Sequence, residues 1–89
     1  MSVENVLSSK VRIKILKILM RMGELNVSEI ARRLGVNYGT AIRHLQILEN
    51  ADIVKKKTFG KIRLYRLNEQ SPKVIALQKL IEVWEHQNK

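Results

Sequence analysis

Two short apolar patterns of helical spacing stand side by side in the middle of the chain, with a glycine between them. The first runs from Ser28 to Leu34, and the second runs from Asn37 to about Asn50. Ser28 and Asn37 carry side chains that accept hydrogen bonds from the free amides of a helix start, and Gly35 suits a turn with positive φ. The predicted link between the helices is three or four residues long, which is the length of a helix-turn-helix.

The second predicted helix has one apolar side and one side rich in hydrogen-bonding groups. Ala41, Leu45 and Leu48 share the apolar side, and the opposite side is either a solvated face or a DNA-reading face. Arg and Gln can each make two hydrogen bonds to base edges, and Tyr and Thr reach phosphates. Gly39 lowers helix propensity by about 1 kcal/mol and lets the backbone come close to a phosphate. The predicted contacts here are Asn37, Tyr38, Gly39, Thr40, Arg43 and Gln46.

A basic β-hairpin is predicted directly after this helix. From Ile53 the pattern changes to alternation, with a tight turn near Phe59 and Gly60. Six of the twelve residues from Lys55 to Arg66 are basic and none is acidic. Alternation places Ile62, Leu64 and Arg66 on one face and Lys61, Arg63, Tyr65 and Leu67 on the other. The predicted phosphate contacts are Lys55, Lys56, Lys57, Lys61 and Arg63.

Two further helices are predicted, one at each end of the chain. The first follows a cap at Ser8 or Ser9, is apolar on two sides, and ends at Gly23. A short extended link, "ELNV", is predicted directly after it. The second covers residues 72–87 and begins at Ser71-Pro72. It carries a coiled-coil-like seam, which predicts a dimerisation helix unless the helix folds back on its own domain. The predicted dimer contacts are Val74, Leu77, Ile81 and Trp84.

The net charge of +9, from 17 basic and 8 acidic residues among 89, indicates a polyanionic partner. Double-stranded DNA is favoured over a membrane, because no wide apolar face lies opposite the basic residues. The chain has no cysteine, no apolar run of about 20 residues and no signal-peptide pattern at its start. We therefore expect a single domain over residues 1–89 that is cytoplasmic and nucleoid-associated. No catalytic constellation, cofactor site or metal cluster is predicted.

Several stretches resemble the winged helix-turn-helix of prokaryotic transcription regulators, the ArsR-like group first and the MarR-like group next. "SEIARRLGVNYGTAIRHLQILENADIVKKK" resembles the helix-turn-helix and its passage into the wing. "LSSKVRIKILKIL" resembles the first helix of that group, and "GKIRLYRLN" its returning wing strand. The resemblance implies a mainly α fold with a small β-hairpin, in the order α-α-α-β-β-α. It also implies a homodimer with a recognition helix in the major groove and a basic wing on the backbone or minor groove.

The leading functional prediction is a DNA-binding transcription regulator, with a repressor favoured over an activator. The main alternative is an architectural chromatin protein with little sequence preference, and a third is a winged helix used for protein contact. ArsR-like metal sensors use cysteine or clustered histidine and carboxylate ligands. This chain has no cysteine, and its two histidines, His44 and His86, are far apart in sequence, so no metal is expected. The isoleucine- and lysine-rich composition suggests a thermophilic, archaeal source.

Overall fold

The computed structural model describes residues 2–87, and these form five helices and three strands. In chain order the elements are α1 Val3–Leu7, α2 Lys10–Met22, β1 Glu24–Asn26, α3 Val27–Leu34, α4 Tyr38–Asn50, β2 Val54–Phe59, β3 Ile62–Leu67 and α5 Pro72–Gln87. The strands form one antiparallel sheet in the order β1-β3-β2. The predicted fold, mainly α with a small β-hairpin, is confirmed. The structure adds one short helix, α1, and shows that the short extended stretch before α3 is a strand, β1.

The core lies where α2, α3 and α4 meet the sheet. Ile15, Ile30, Ala41, Leu45 and Leu48 have no exposed surface. The last three are the residues that the sequence places on the apolar side of α4, so their burial confirms that side. Because this side packs inward, the opposite side of α4 must face away from the domain.

The start of α3 differs from the sequence prediction, which placed the helix cap at Ser28. The cap is Asn26, whose Oδ1 accepts a hydrogen bond from the amide of Glu29 at 2.8 Å. Val27, directly after it, is buried in the core as the first helical residue. The helix thus begins one residue before Ser28, which lies in its first turn, and the prediction of a cap at Ser28 was wrong.

The stretch before α3 was predicted as an extended link and proves to be a strand of the sheet. In β1, Glu24 pairs with Arg66 and Leu25 pairs with Tyr65. A two-stranded hairpin is at best marginally stable in water. Pairing of β1 with β3, and packing of the sheet against the helices, therefore stabilise the hairpin at the end nearest the core.

The C-terminal helix α5 has the predicted bounds, but its predicted seam divides between two environments. Val74 is 1% exposed and belongs to the core of its own domain, and Leu77 and Ile81 pack partly against that core. Trp84, by contrast, is 66% exposed. Val74 thus has no surface to offer a second chain, because the first turns of α5 fold back on the domain. Any dimer contact of this helix must use other residues.

Candidate nucleic-acid interface

The turn between α3 and α4 fixes the angle at which the two helices meet. Gly35 has φ +70° and ψ +33°, a left-handed conformation that glycine adopts without a clash at Cβ. The amide of Val36 donates to the carbonyl of Ala31 at 3.1 Å. Asn37 Oδ1 then accepts from the amide of Thr40 at 2.8 Å, which confirms the predicted cap. Since that oxygen is already bonded within the protein, the Asn37 group available to a phosphate is its amide NH₂.

The outward side of α4 carries the side chains that the sequence singles out for base contact. Tyr38, Arg43 and Gln46 are exposed, and Thr40 is half-buried. Arg43 and Gln46 form none of the side-chain hydrogen bonds or ion pairs found among residues 2–87. Their donor groups therefore face solvent without an internal partner and are available to the edges of bases.

Gly39 lies in the first turn of α4, on the same exposed part of the helix. A Cβ added there would meet only Asn37 Oδ1, at 3.6 Å, which is an ordinary contact. Its backbone φ is not positive, so conformation does not require glycine either. Neither packing nor strain thus explains Gly39, and the predicted close approach of its backbone to a phosphate is consistent with the space above it.

The register of the β2–β3 hairpin, called the wing below, sorts its cations between the two faces. Tyr65 is buried and faces the helices, so Arg63, two residues away, lies on the same face. Lys56 pairs with Tyr65 and Thr58 pairs with Arg63, which places both on that face as well. Lys56 and Arg63 are therefore exposed cations on the face of the sheet that carries α4.

The opposite face of the wing carries Lys55, Lys57 and Arg66. Lys57 Nζ lies 3.6 Å from Glu24 Oε2 and 5.4 Å from the centre of the Phe59 ring. Part of its charge is thus balanced within the protein. The structure therefore separates the predicted phosphate contacts into two groups, and only one of them lies on the face of the sheet that carries α4. Lys61 belongs to neither group, because it lies in the turn beside Gly60.

The two arginines of the bracing helix α3 are held by one carboxylate. Arg32 and Arg33 both bond Glu29, with Arg33 Nε 2.8 Å from Glu29 Oε2. The hydrogen bond from Arg32 does most to hold the pKa of Glu29 below its ordinary value; desolvation opposes it, and Arg33 adds to it. These cations are partly neutralised before any DNA is bound, which makes them weaker candidates for phosphate contact than Lys56 or Arg63.

Arg12 is a buried residue behind α4 that was not singled out from the sequence. Its side chain is 8% exposed, with Nε donating to the carbonyl of Val6 at 2.8 Å and Nη2 to that of Asn5 at 2.7 Å. Its Nη1 lies 2.9 Å from Nδ1 of His44 on α4. One signal was present in the sequence: Arg12 stands three residues before Ile15, on the apolar side of α2.

Comparison with known proteins identifies the family. The family model described as "Bacterial regulatory protein, arsR family" matches residues 9–56, more than half of the chain. The chain belongs to the ArsR family. It is 35% identical over 70 residues to the cadmium resistance transcriptional regulatory protein CadC homolog of Staphylococcus aureus, covering 79% of this chain and 58% of that protein. The chain thus spans less than two thirds of the length of this curated relative.

Solved structures of ArsR-type proteins have the same fold. One is the homodimeric winged helix-turn-helix DNA-binding domain Mb0332 from Mycobacterium bovis, with 30% identity and a TM-score of 0.77. The match covers 94% of this chain and 75% of that one. Another is the transcriptional repressor BigR from Xylella fastidiosa, with 27% identity and a TM-score of 0.79, covering 96% and 82% of the two chains. The ArsR-like prediction is confirmed. These relatives are bacterial, so neither the archaeal source nor the MarR-like alternative gains support.

The part of this ArsR-family chain that the structure describes lacks two features. Within residues 2–87, no three His, Asp or Glu side chains come close enough to share a metal ion. His44 contacts Arg12, and His86 is exposed near the end of α5. None of the described helices has the length and apolar character needed to cross a bilayer.

Proposed function

We propose that this ArsR-family chain is a sequence-specific, double-stranded DNA-binding transcription regulator that acts as a homodimeric repressor in the prokaryotic cytoplasm. The helix α4 enters the major groove, and the wing lies along the neighbouring backbone or minor groove. Arg43 and Gln46 read base edges, and Tyr38, Thr40 and the backbone at Gly39 contact phosphates.

The observation that carries this proposal is a pair of exposed polar and basic surfaces on two elements in contact, α4 and β2. The outward side of α4 offers Arg43 and Gln46, which have no side-chain partner among residues 2–87, and the face of the wing toward the helices offers Lys56 and Arg63. A helix fits the major groove, where each base pair presents a distinct pattern of donors and acceptors. Cations beside it neutralise phosphates and hold the register of the complex.

The dimer and the repressor role are supported by the relatives and by an apolar surface. Mb0332 is described as homodimeric and BigR as a repressor. In this chain, α1 and α5 border an apolar groove of about 470 Å³ that includes Val3, Leu7 and Leu80. The outer side of α5 continues that surface. Its exposed apolar residues are Ile75, Leu80, Val83 and Trp84.

A two-fold contact through this surface buries it against its own copy. The same two-fold axis then relates two α4 helices, which in such dimers read half-sites roughly 34 Å apart. A palindromic binding site follows. The proposed dimer surface therefore leaves out Val74, keeps Trp84 of the predicted seam, and adds the rest of the outer side of α5 together with α1.

The experiment is in vitro selection from a random duplex library, followed by sequencing and salt titration of the selected site. We expect a palindromic motif. If a dimer contacts on the order of 6–10 phosphates, affinity falls by about 10³–10⁵ between 50 and 200 mM salt. Enrichment of no motif, with strong salt-dependent binding to every duplex, would instead support the architectural alternative.

A further inference from the structure

The tip of the wing, residues 59–62, exposes two large apolar side chains. Phe59 and Ile62 are direct cross-strand partners on either side of the Gly60-Lys61 turn. Their side chains remain 57% and 55% exposed, respectively. Hairpin turns are usually polar and small, so this pair stands out as apolar surface at the point of the wing farthest from the core.

The surroundings of this pair are cationic. Lys61 lies in the turn, Arg63 follows Ile62, and the ammonium of Lys57 lies 5.4 Å from the centre of the Phe59 ring. No acidic residue occurs between Lys55 and Arg66. An apolar tip ringed by cations fits a partner that combines negative charge with apolar surface. The minor groove of DNA does so, since phosphates line its edges and sugars and base pairs form its walls and floor.

Closing the hairpin does not by itself explain these residues. A cross-strand pair stabilises a sheet by contact between its members and by β propensity. Two threonines provide both at the same positions. The pairing of Phe59 with Ile62 leaves more than half of the surface of each residue exposed to solvent. Contact between the two side chains therefore does not account for their size and apolar character.

We infer that Phe59 and Ile62 form an apolar wedge that enters the minor groove and partly unstacks a base step, kinking the bound duplex. Phe59 and Ile62 lie on the same face of the wing as Lys57, opposite Lys56 and Arg63. The inference rests on the proposed function and adds that the tip of the wing, rather than the face that carries α4, enters the groove. Minor-groove proteins use Phe and Ile in this way and bend DNA by about 20–90°. Pyrimidine–purine steps unstack most easily, so such a step is expected beneath each wing.

The test compares two full-length variants on the duplex selected by the unmodified protein, about 30 base pairs long with a donor dye and an acceptor dye at its ends. F59T/I62T removes the wedge and keeps two β-forming residues. The matched control, Lys61→Ala, removes a cation from the same turn. Energy transfer between the dyes reports the bend, and titrations at several salt concentrations separate apolar from ionic contacts.

We expect the unmodified protein to raise energy transfer. F59T/I62T should bind about tenfold more weakly, with an unchanged salt slope and no rise in energy transfer. Lys61→Ala should lower the slope by about 0.9 for each phosphate that the variant no longer neutralises, and it should keep the bend. Equal affinity and equal bending for F59T/I62T would overturn the wedge. If the unmodified protein binds no duplex at all, that result contradicts the proposed function, and the wedge with it.

A second reporter covers the case in which F59T/I62T folds poorly. Phe59→Trp combined with Trp84→Phe places the chain's only tryptophan at the tip. Stacking on bases should quench its emission on addition of the selected duplex and shield it from acrylamide. Unchanged emission in the bound complex would contradict insertion. A response to phosphatidylglycerol vesicles and none to DNA would assign the tip to a lipid surface and overturn the inference.

Discussion

Arg12 donates a hydrogen bond to Nδ1 of His44 over 2.9 Å and so ties α2 to the middle of α4. Because a guanidinium only donates, Nδ1 must accept, and the neutral imidazole carries its proton on Nε2. The same side chain bonds the carbonyls of Asn5 and Val6. One buried arginine thus links α1, α2 and α4 without a carboxylate partner among the described residues.

The first prediction concerns pH. Burial, and then the charges of Arg12 and Arg43, hold the pKa of His44 below its ordinary value of about 6.5. As the pH falls below about 6.5, His44 takes up a proton in the unfolded chain before it does so in the folded chain. Stability is therefore unaffected by His44 above that pH and declines as the pH falls toward the lower folded pKa.

Urea unfolding between about pH 5.5 and 7.5 measures this effect, in a range that excludes most carboxylate titration. The matched variant is His44→Asn, whose Oδ1 can still accept from Arg12 and does not titrate. We expect the unmodified protein to lose more stability over this range than His44→Asn. Parallel curves would show that His44 does not carry the effect.

The second prediction concerns the buried arginine itself. Arg12→Ala leaves the carbonyls of Asn5 and Val6 without their donor, so we expect unfolding free energy to fall by about 2–4 kcal/mol. Hydrogen exchange should also speed up in α1. Lys10→Ala, on the exposed side of the same helix, should change stability by less than about 0.5 kcal/mol. Similar losses for the two variants would argue against a special role for Arg12.

The third prediction separates base reading from phosphate contact. Arg43→Ala should cost about 1–3 kcal/mol at the preferred site and relax base preference there. Lys56→Ala, on the wing, should weaken binding to all sequences alike. Titrations of matched and single-mismatch duplexes distinguish the two effects. A uniform loss for Arg43→Ala would rule out direct readout by that side chain.

The fourth prediction concerns Gly39. Neither packing nor backbone conformation requires glycine at this position. Gly39→Ala should raise stability by about 0.4–1 kcal/mol, because alanine loses less backbone entropy in a helix. The same change should weaken DNA binding if the backbone approaches a phosphate there. Thermal unfolding and a DNA titration of the same preparation suffice. A more stable variant with unaltered affinity would remove Gly39 from the interface.

The fifth prediction concerns the dimer. Leu80 is exposed on α5 and lines the apolar groove beside α1. Leu80→Asp should convert a dimer to a monomer in sedimentation equilibrium and reduce binding to a palindrome more than to a half-site. Gln70→Asp adds one negative charge at an exposed turn position that lines neither the groove nor the outer side of α5, and it serves as the control. A protein that is monomeric at tens of micromolar before any substitution would contradict the proposed surface.

Local chemistry made the centre of the fold predictable. Gly35 indicates a turn because glycine adopts positive φ, and Asn37 indicates a helix start because its side-chain oxygen caps the first amides. Both effects involve residues no more than four positions away. The alternation in the wing likewise gave the correct faces, since Tyr65 and Leu67 are buried together. These features depend on neighbours in sequence.

Features that depend on distant residues were not predictable in the same way. The three-residue strand β1 exists because Leu25 pairs with Tyr65, forty residues later. The five-residue helix α1 relies on the Arg12 side chain for two of its carbonyls. Val74 lies in the core because α5 folds back on the domain. The three-and-four spacing of apolar residues in this helix fits packing on its own domain and packing on a second chain equally well, so it could not predict which occurs.

The most direct test of the central claim is the ratio of affinities of the unmodified protein for its selected palindrome and for a scrambled duplex of equal length, measured by fluorescence anisotropy at 150 mM salt. A regulator that reads bases through α4 should bind the palindrome at least about 10³-fold more tightly. A ratio near one, with both duplexes bound, would contradict sequence-specific recognition by this helix.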